Sequence, residues 1–294
     1  MKRIILVLLF IAPAIISISA QADANGYEDG AWVLKGVTGV NLSQSSLSNW
    51  SAGGESSIAG NVYLNGSLLR KSGKWLWQTT LALEYGLSQN DTDGVRKTND
   101  NINLATQLGY SVDDKWFYTA MGDIKTQFYK GYKYPDRENY ISNLFAPAYS
   151  NVSLGMEYRP KANYSFYLSP VAGKFTFVYD DFLSDKGSFG LDPGDNFKAE
   201  LGAYFKSRIE QALMENINLV STVDFFTPYE SSFGNVDANW DVMISMKVNK
   251  YISATINTTL KYDNDVKTTN DAGDKRGAKV QFKEVLGVGI AYRF

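Results

Sequence analysis

The chain has no histidine and no cysteine among its 294 residues. Without histidine there is no Ser-His-Asp or Cys-His nucleophile, no histidine-based zinc site, and none of the His-dependent phospholipase or protease chemistry that some membrane barrels carry. Without cysteine there is neither a disulfide framework nor a cysteine-linked lipid anchor, so the fold must be held by its backbone ladder. An excess of one charge is missing too. The 29 basic and 31 acidic residues leave a net charge of -2, which argues against nucleic acid as a partner because phosphate binding wants a basic surplus. Long apolar runs are missing but for one. The mean hydropathy of -0.24 is too polar for a helical membrane protein. The exception, Ile4 to Ile18, follows Lys2 and Arg3, is interrupted by Pro13 and leads into Ala20-Gln21-Ala22. A basic start, an apolar centre and small residues at the cut make 1–22 a secretory signal peptide; the stretch is short for a spanning helix. Residues 23–294 are then expected to form one domain.

What that domain has in abundance is alternation. Ile102, Leu104, Thr106, Leu108 and Tyr110 interleave with Asn101, Asn103, Ala105, Gln107 and Gly109. Side chains of a strand point to opposite faces in turn, so one face is apolar and the other polar. The same pattern fills Trp75 to Leu87 and Val242 to Val248. Such runs match the about 9 to 11 residues of a membrane strand better than the about 5 or 6 of soluble domains. Twelve strands are expected: 32–42, 57–70, 75–88, 101–110, 116–128, 151–158, 164–178, 197–213, 217–227, 236–248, 252–262 and 280–294. The connections after even strands are tight, whereas those after odd strands are mostly long and rich in Asp, Asn, Ser and Gly. That sorting is the short-turn, long-loop habit of an antiparallel transmembrane β-barrel in a bacterial outer membrane, with lipid as its surroundings. Aromatics gather at the tight-turn ends (Trp75, Trp77, Tyr110, Trp116, Tyr118, Tyr158, Tyr164, Phe166, Tyr251, Tyr292), as an interfacial girdle requires. The last strand ends Ala291-Tyr292-Arg293-Phe294, resembling the sorting signal read by the outer-membrane assembly machinery of Gram-negative bacteria.

The segment Asn41-Leu42-Ser43-Gln44, then Leu47-Ser48-Asn49-Trp50-Ser51-Ala52-Gly53-Gly54 and Ser57, resembles the N-terminal motif of an outer-membrane barrel family of the Bacteroidota known as a domain of unknown function. The resemblance implies the barrel and its membrane, and supplies no activity and no site residue. Physically, Trp50 anchors a self-bonded Asn/Ser/Gly loop to the barrel rim, or Asn49 and Trp50 meet a ligand.

Strand parity assigns the lumen. Its charged and amide candidates are Lys35, Glu84, Gln107, Asp123, Lys125, Glu157, Lys198, Glu200, Asp224, Asp241, Lys247 and Lys283. Both signs occur, so no anion or cation ladder is present, and cross-lumen ion pairs are expected. Glu284 breaks the pattern by sharing parity with Phe282, Leu286 and Val288; it belongs to the outer headgroup zone or to a bulge that turns it inward. In the third loop Tyr132 and Tyr134, among Lys130, Lys133 and Arg137, either stack on a sugar or pack over the mouth. Asp180 with Asp181 and Asp237 with Asp241 are the nearest approach to paired catalytic acids and read better as solvated groups, so no enzyme is expected. The loop Asp263 to Asp274 has oxygen donors, but Lys267 stands where a calcium loop wants an oxygen; no cofactor is expected. The functions left are a passive pore for small polar solutes, or a non-conducting barrel whose outer loops bind a partner, a glycan or the envelope.

Overall fold

The alternating runs close on themselves. In a computed structural model, which describes residues 29–45, 56–90, 94–230, 234–249, 252–264, 267–269 and 275–294, twelve strands form one closed antiparallel barrel. They are β1 (Trp32–Ser45), β2 (Ser57–Ser72), β3 (Trp75–Asn90), β4 (Gly94–Ser111), β5 (Trp116–Thr126), β6 (Ala148–Lys161), β7 (Tyr164–Phe177), β8 (Phe197–Met214), β9 (Ile217–Pro228), β10 (Asp237–Lys247), β11 (Ile252–Tyr262) and β12 (Gln281–Arg293). Each strand pairs with its neighbours in chain order, and β1 meets β12 from Val37↔Arg293 to Asn41↔Gly289. The proposed signal peptide and residues 46–55, with Asn49 and Trp50, lie outside the described residues.

The burial pattern is inside out relative to a soluble protein. Leu34, Leu42, Leu104, Leu154, Leu168, Leu286 and Ile290 are 42 to 67% exposed on the outer wall, while Asp123, Ser153, Glu157, Ser169 and Thr255 are buried within. Exposed apolar surface on this scale exceeds the few hundred Å² tolerated by soluble monomers, and suits hydrocarbon surroundings. Rings pack along the tight-turn rim: Trp32 on Trp77 at 5.5 Å, Trp75 on Tyr110 at 5.0 Å and Trp116 on Tyr158 at 4.7 Å, with the Arg70 guanidinium 5.1 Å above Trp32. A second aromatic cluster, Phe175, Phe177, Tyr179 and Phe197, stands at the loop end of β7 and β8, so the rings are not confined to one rim as the sequence pattern suggested.

Several strands outrun their expected ends. The stretch 89–100, expected to be a loop, is mostly strand: β3 and β4 continue as a hairpin to Asn90 and Gly94. Its side chains are polar because this part projects past the apolar belt, which removed the alternation that identifies a strand. β6 extends past the expected 151–158 at both ends. β7 contains a bulge. Leu154 pairs with Val171 but Met156 with Leu168, so β7 carries one extra residue around Pro170. Proline donates no N–H to the ladder and is found at such irregularities. The Ser169 hydroxyl fills in, donating to the Leu154 carbonyl at 2.7 Å and accepting from the Val171 N–H at 3.2 Å. Below the bulge odd residues of β7 face in, as Tyr167 does; above it even ones do, among them Ala172 and Lys174. No such shift occurs at Glu284, which pairs in plain register with Thr258 and stays on the outer face near the loop end.

At the loop end the long connections fold together. Ala146, Val178, Leu183 and Leu191 make a small buried core flanked by Tyr140, Phe182 and Phe189. Asp180 caps α1 (Asp181–Asp185) and accepts from the Tyr140 hydroxyl at 3.0 Å and the Asn143 amide at 2.9 Å. Burial pushes this carboxyl up, but the hydrogen bonds from Asn143, Tyr140 and the Leu183 N–H outweigh it and hold it below its ordinary value.

Candidate functional site

The lumen is filled on one side and hollow on the other. At the tight-turn end β6 brings Glu157 inward, and the carboxylate takes the Arg159 guanidinium at 2.8 Å, the Ser165 hydroxyl at 2.5 Å and the Thr119 hydroxyl at 3.3 Å. Arg159 also donates to Gln78 at 3.0 Å, which in turn accepts from Gln107 at 3.3 Å. Both charges are nearly fully buried, and each finds several partners, which is the condition for burying charge without prohibitive cost. Above this hub Met121, Tyr167, Ala172, Tyr204 and Phe226 pack into a cluster inside the barrel. Residues from β5, β7, β8 and β9 therefore plug their own sector, and no folded-in loop is needed for it.

Over the cluster Lys125 reaches from β5 to Asp224 on β9 at 3.6 Å, a strut spanning the interior. Asp123 beside it accepts from Asn151 at 3.1 Å. Asn239 bridges Asp224 and Asp241, and the Thr259 hydroxyl donates to Asp241 at 2.7 Å. Glu84 accepts from Asn61 at 2.6 Å. Towards the loops Lys174 binds Asp237 at 2.6 Å and Asp263 at 3.1 Å, Lys198 pairs with Glu200 at 3.2 Å, and Lys283 donates across the mouth to Asn99. The acids singled out in pairs are thus engaged separately: Asp180 as a helix cap, Asp237 with Lys174, Asp241 with Thr259.

The hollow side is a cavity of about 580 Å³. It is bordered at the tight-turn end by Ala162, Asn163 and Ser165, and at the loop end by Asp100, Gln281 and Lys283. Of the sequence candidates, Glu84, Gln107, Lys125, Asp224, Asp241 and Lys283 border it. Asp123 and Glu157 point inward but are sealed into the packed sector. Lys198 and Glu200 stand by the outer rim of β8; Lys35 and Lys247 lie near the turn-end rims of β1 and β10, and none of these four borders the cavity. Arg159 and Arg208 border it although neither was among the candidates.

Tyr132 and Tyr134 lie 6.3 Å apart in the third loop, and Tyr134 has the Arg96 guanidinium at 5.1 Å and that of Arg137 at 5.3 Å. Its hydroxyl accepts the Lys97 N–H at 3.1 Å. These contacts, worth about 0.5 to 1 kcal/mol per exposed cation–π pair, pin the loop to the projecting end of β4.

Residues 42–132, from the end of β1 into the third loop, match a family model described as "Protein of unknown function (DUF3078)". No curated protein matches the chain. Among solved structures the chain is similar to the translocator domain of the autotransporter NalP from Neisseria meningitidis (9% identity, 90% of this chain and 88% of that one, TM-score 0.36). It is also similar to the NanC porin (8%, 87% and 98%, 0.36) and to the COG4313 outer membrane channel from Pseudomonas putida F1 (11%, 94% and 100%, 0.40). The barrel stands on its own ladder and needs none of these likenesses.

Proposed function

We propose that this protein is an outer-membrane barrel that passes small polar solutes down their gradient through the hollow side of its lumen. The observation that carries the reading is one cavity lined by hydroxyls, amides and charges of both signs, bordered by residues of both ends of the barrel. The apolar outer wall with aromatic rims supports the membrane placement. The family motif read from the sequence supports a bacteroidal origin, and the edge of β12, before it closes on β1, is what an assembly factor would bind. With no histidine in the chain and Asp180, Asp237 and Asp241 each engaged in a structural contact, we assign it no catalysis.

Purified protein in a planar bilayer should show steady single-channel currents with weak charge selectivity; a silent bilayer over a wide voltage range overturns the reading. The cross-lumen contacts Lys125–Asp224 and Lys283–Asn99 favour the second reading, a closed barrel that binds through its folded loops. A silent bilayer would leave that one standing.

A further inference from the structure

Among the described residues, the seam between the first and last strands has the shortest ladder in the barrel. Every other barrel seam has ten or more register pairs, as β11 with β12 or β4 with β5. Between β1 and β12 there are five, Val37 to Asn41 against Gly289 to Arg293, extended by the mutual hydrogen bonds of Gly36 and Phe294. Continued in register, Leu42 to Ser45 would face Val288 to Val285. Both stretches are strand, and among the described residues neither bonds to the other. At about 3.3 Å per residue the four missing pairs leave an opening roughly 13 Å long.

Where the ladder ends, the strands are pressed together. A Cβ at Gly287 would overlap the Asn41 side chain and one at Gly289 the Val40 carbonyl, and the Asn41 amide passes on to Thr255 of β11 at 3.4 Å. Above this pin the lips of the opening are apolar outside, with Leu42 and Val288 both exposed on the outer wall. On the lumen side stand Lys283 of β12 itself and Lys261 of β11, whose partner Gln281 is two residues from Lys283. Both lysines border the cavity, and among the described residues neither forms an ion pair. An unpaired strand edge facing hydrocarbon is costly, and is tolerated where water or a ligand reaches its N–H and C=O groups.

We propose that this gap is a lateral opening from the lumen into the outer leaflet and that it receives a single-chain anionic amphiphile. The carboxylate or phosphate head meets Lys261 and Lys283, and the chain leaves between Leu42 and Val288. The proposal rests on the membrane-barrel reading and adds a ligand class to it.

The absence of native cysteine makes the test clean, since Leu42→Cys with Val288→Cys gives one engineered pair at positions the continued ladder would bring together. The variant is reconstituted in vesicles, oxidised, and assayed for ion conductance and for binding of fluorescent dodecanoate, dodecyl phosphate and a neutral dodecyl glycoside. Slow or partial oxidation is expected, with the oxidised fraction losing binding of the anionic amphiphile while conductance stays. The preferred head, carboxylate or phosphate, is read from the first two probes. Lys261→Gln with Lys283→Gln should weaken the anionic probe by about tenfold or more, the worth of one lost charged hydrogen bond, and leave the neutral one unchanged. Immediate and complete oxidation in the absence of amphiphile, unchanged binding after oxidation, unchanged binding in the lysine variant, or disulfides formed between molecules, which would mean strand addition by a second copy, each overturn the proposal. Failure to insert into vesicles at all would instead sink the membrane reading beneath it.

Discussion

Glu157 shows how this lumen tolerates charge. Glu157 is 1% exposed and its partner Arg159 5%, so removing one partner strands the other. Arg159→Met should cost about 3 to 5 kcal/mol, whereas Glu157→Gln with Arg159→Met together should recover much of it. Urea midpoints of the folded barrel, followed by its gel mobility shift, measure both; equal losses in single and double variants would show that the pair is not coupled. A second residue acts through pH. The Asp180 carboxyl is held below its ordinary value of 3.8 in the folded loops, so its contribution is fully present above that value and fades as pH falls through the lower folded value. Protease cutting of the 127–147 loop should therefore rise in strong acid, and Asp180→Asn should abolish that rise. Parity found Glu157 but lost Arg159, two positions on with the same alternation, because a run of Arg-Pro-Lys reads as the start of a turn. The structure continues β6 to Lys161. Whether a parity-assigned group borders the cavity or is sealed behind a neighbour, as Lys125 and Asp123 differ, depends on packing across the lumen that no single strand encodes.

At the scale of one strand, the bulge in β7 decides which face Lys174 uses. With an unbroken two-residue period from Tyr167, Lys174 would lie on the outer wall; the extra residue at Pro170 turns it in, onto Asp237 and Asp263. Deleting Pro170 should restore the period and put an ammonium against lipid, a loss of about 2 to 4 kcal/mol near the midplane and less towards the rim. Pro170→Ala should keep the bulge and cost little. If the deletion refolds as stably as the parent chain, the bulge does not set the face. Leu81→Arg, on the lipid face of β3, is the control for the magnitude and should cost the same about 2 to 4 kcal/mol. Proline inside a strand run was the available sequence signal for this shift, and the lumen candidates drawn from parity include no residue of β7. The extended hairpin of β3 and β4 had no comparable signal, since strands outside the apolar belt need not alternate.

For the whole barrel, twelve strands were legible because an apolar outer wall imposes alternation within the belt, and the sorting of tight turns from long connections repeated the message independently. What the lumen does was not legible, because charges of both signs can either line a passage or close it, and the outcome depends on which partners meet across about a barrel's width. The structure gives Lys125 and Asp224 as the deciding pair: they bridge β5 and β9 and border the cavity from its packed side. Lys125→Gln leaves Asp224, Asp241 and Glu84 around the passage with one positive group fewer, so the reversal potential in a salt gradient should move towards cation selectivity. Lys125→Ala with Asp224→Ala removes the strut without changing net charge, so selectivity should hold while single-channel conductance rises. Lys198→Gln, at a pair outside the cavity, should alter neither. If all three variants conduct as the parent chain does, the current does not run past this strut and the hollow side is not the path.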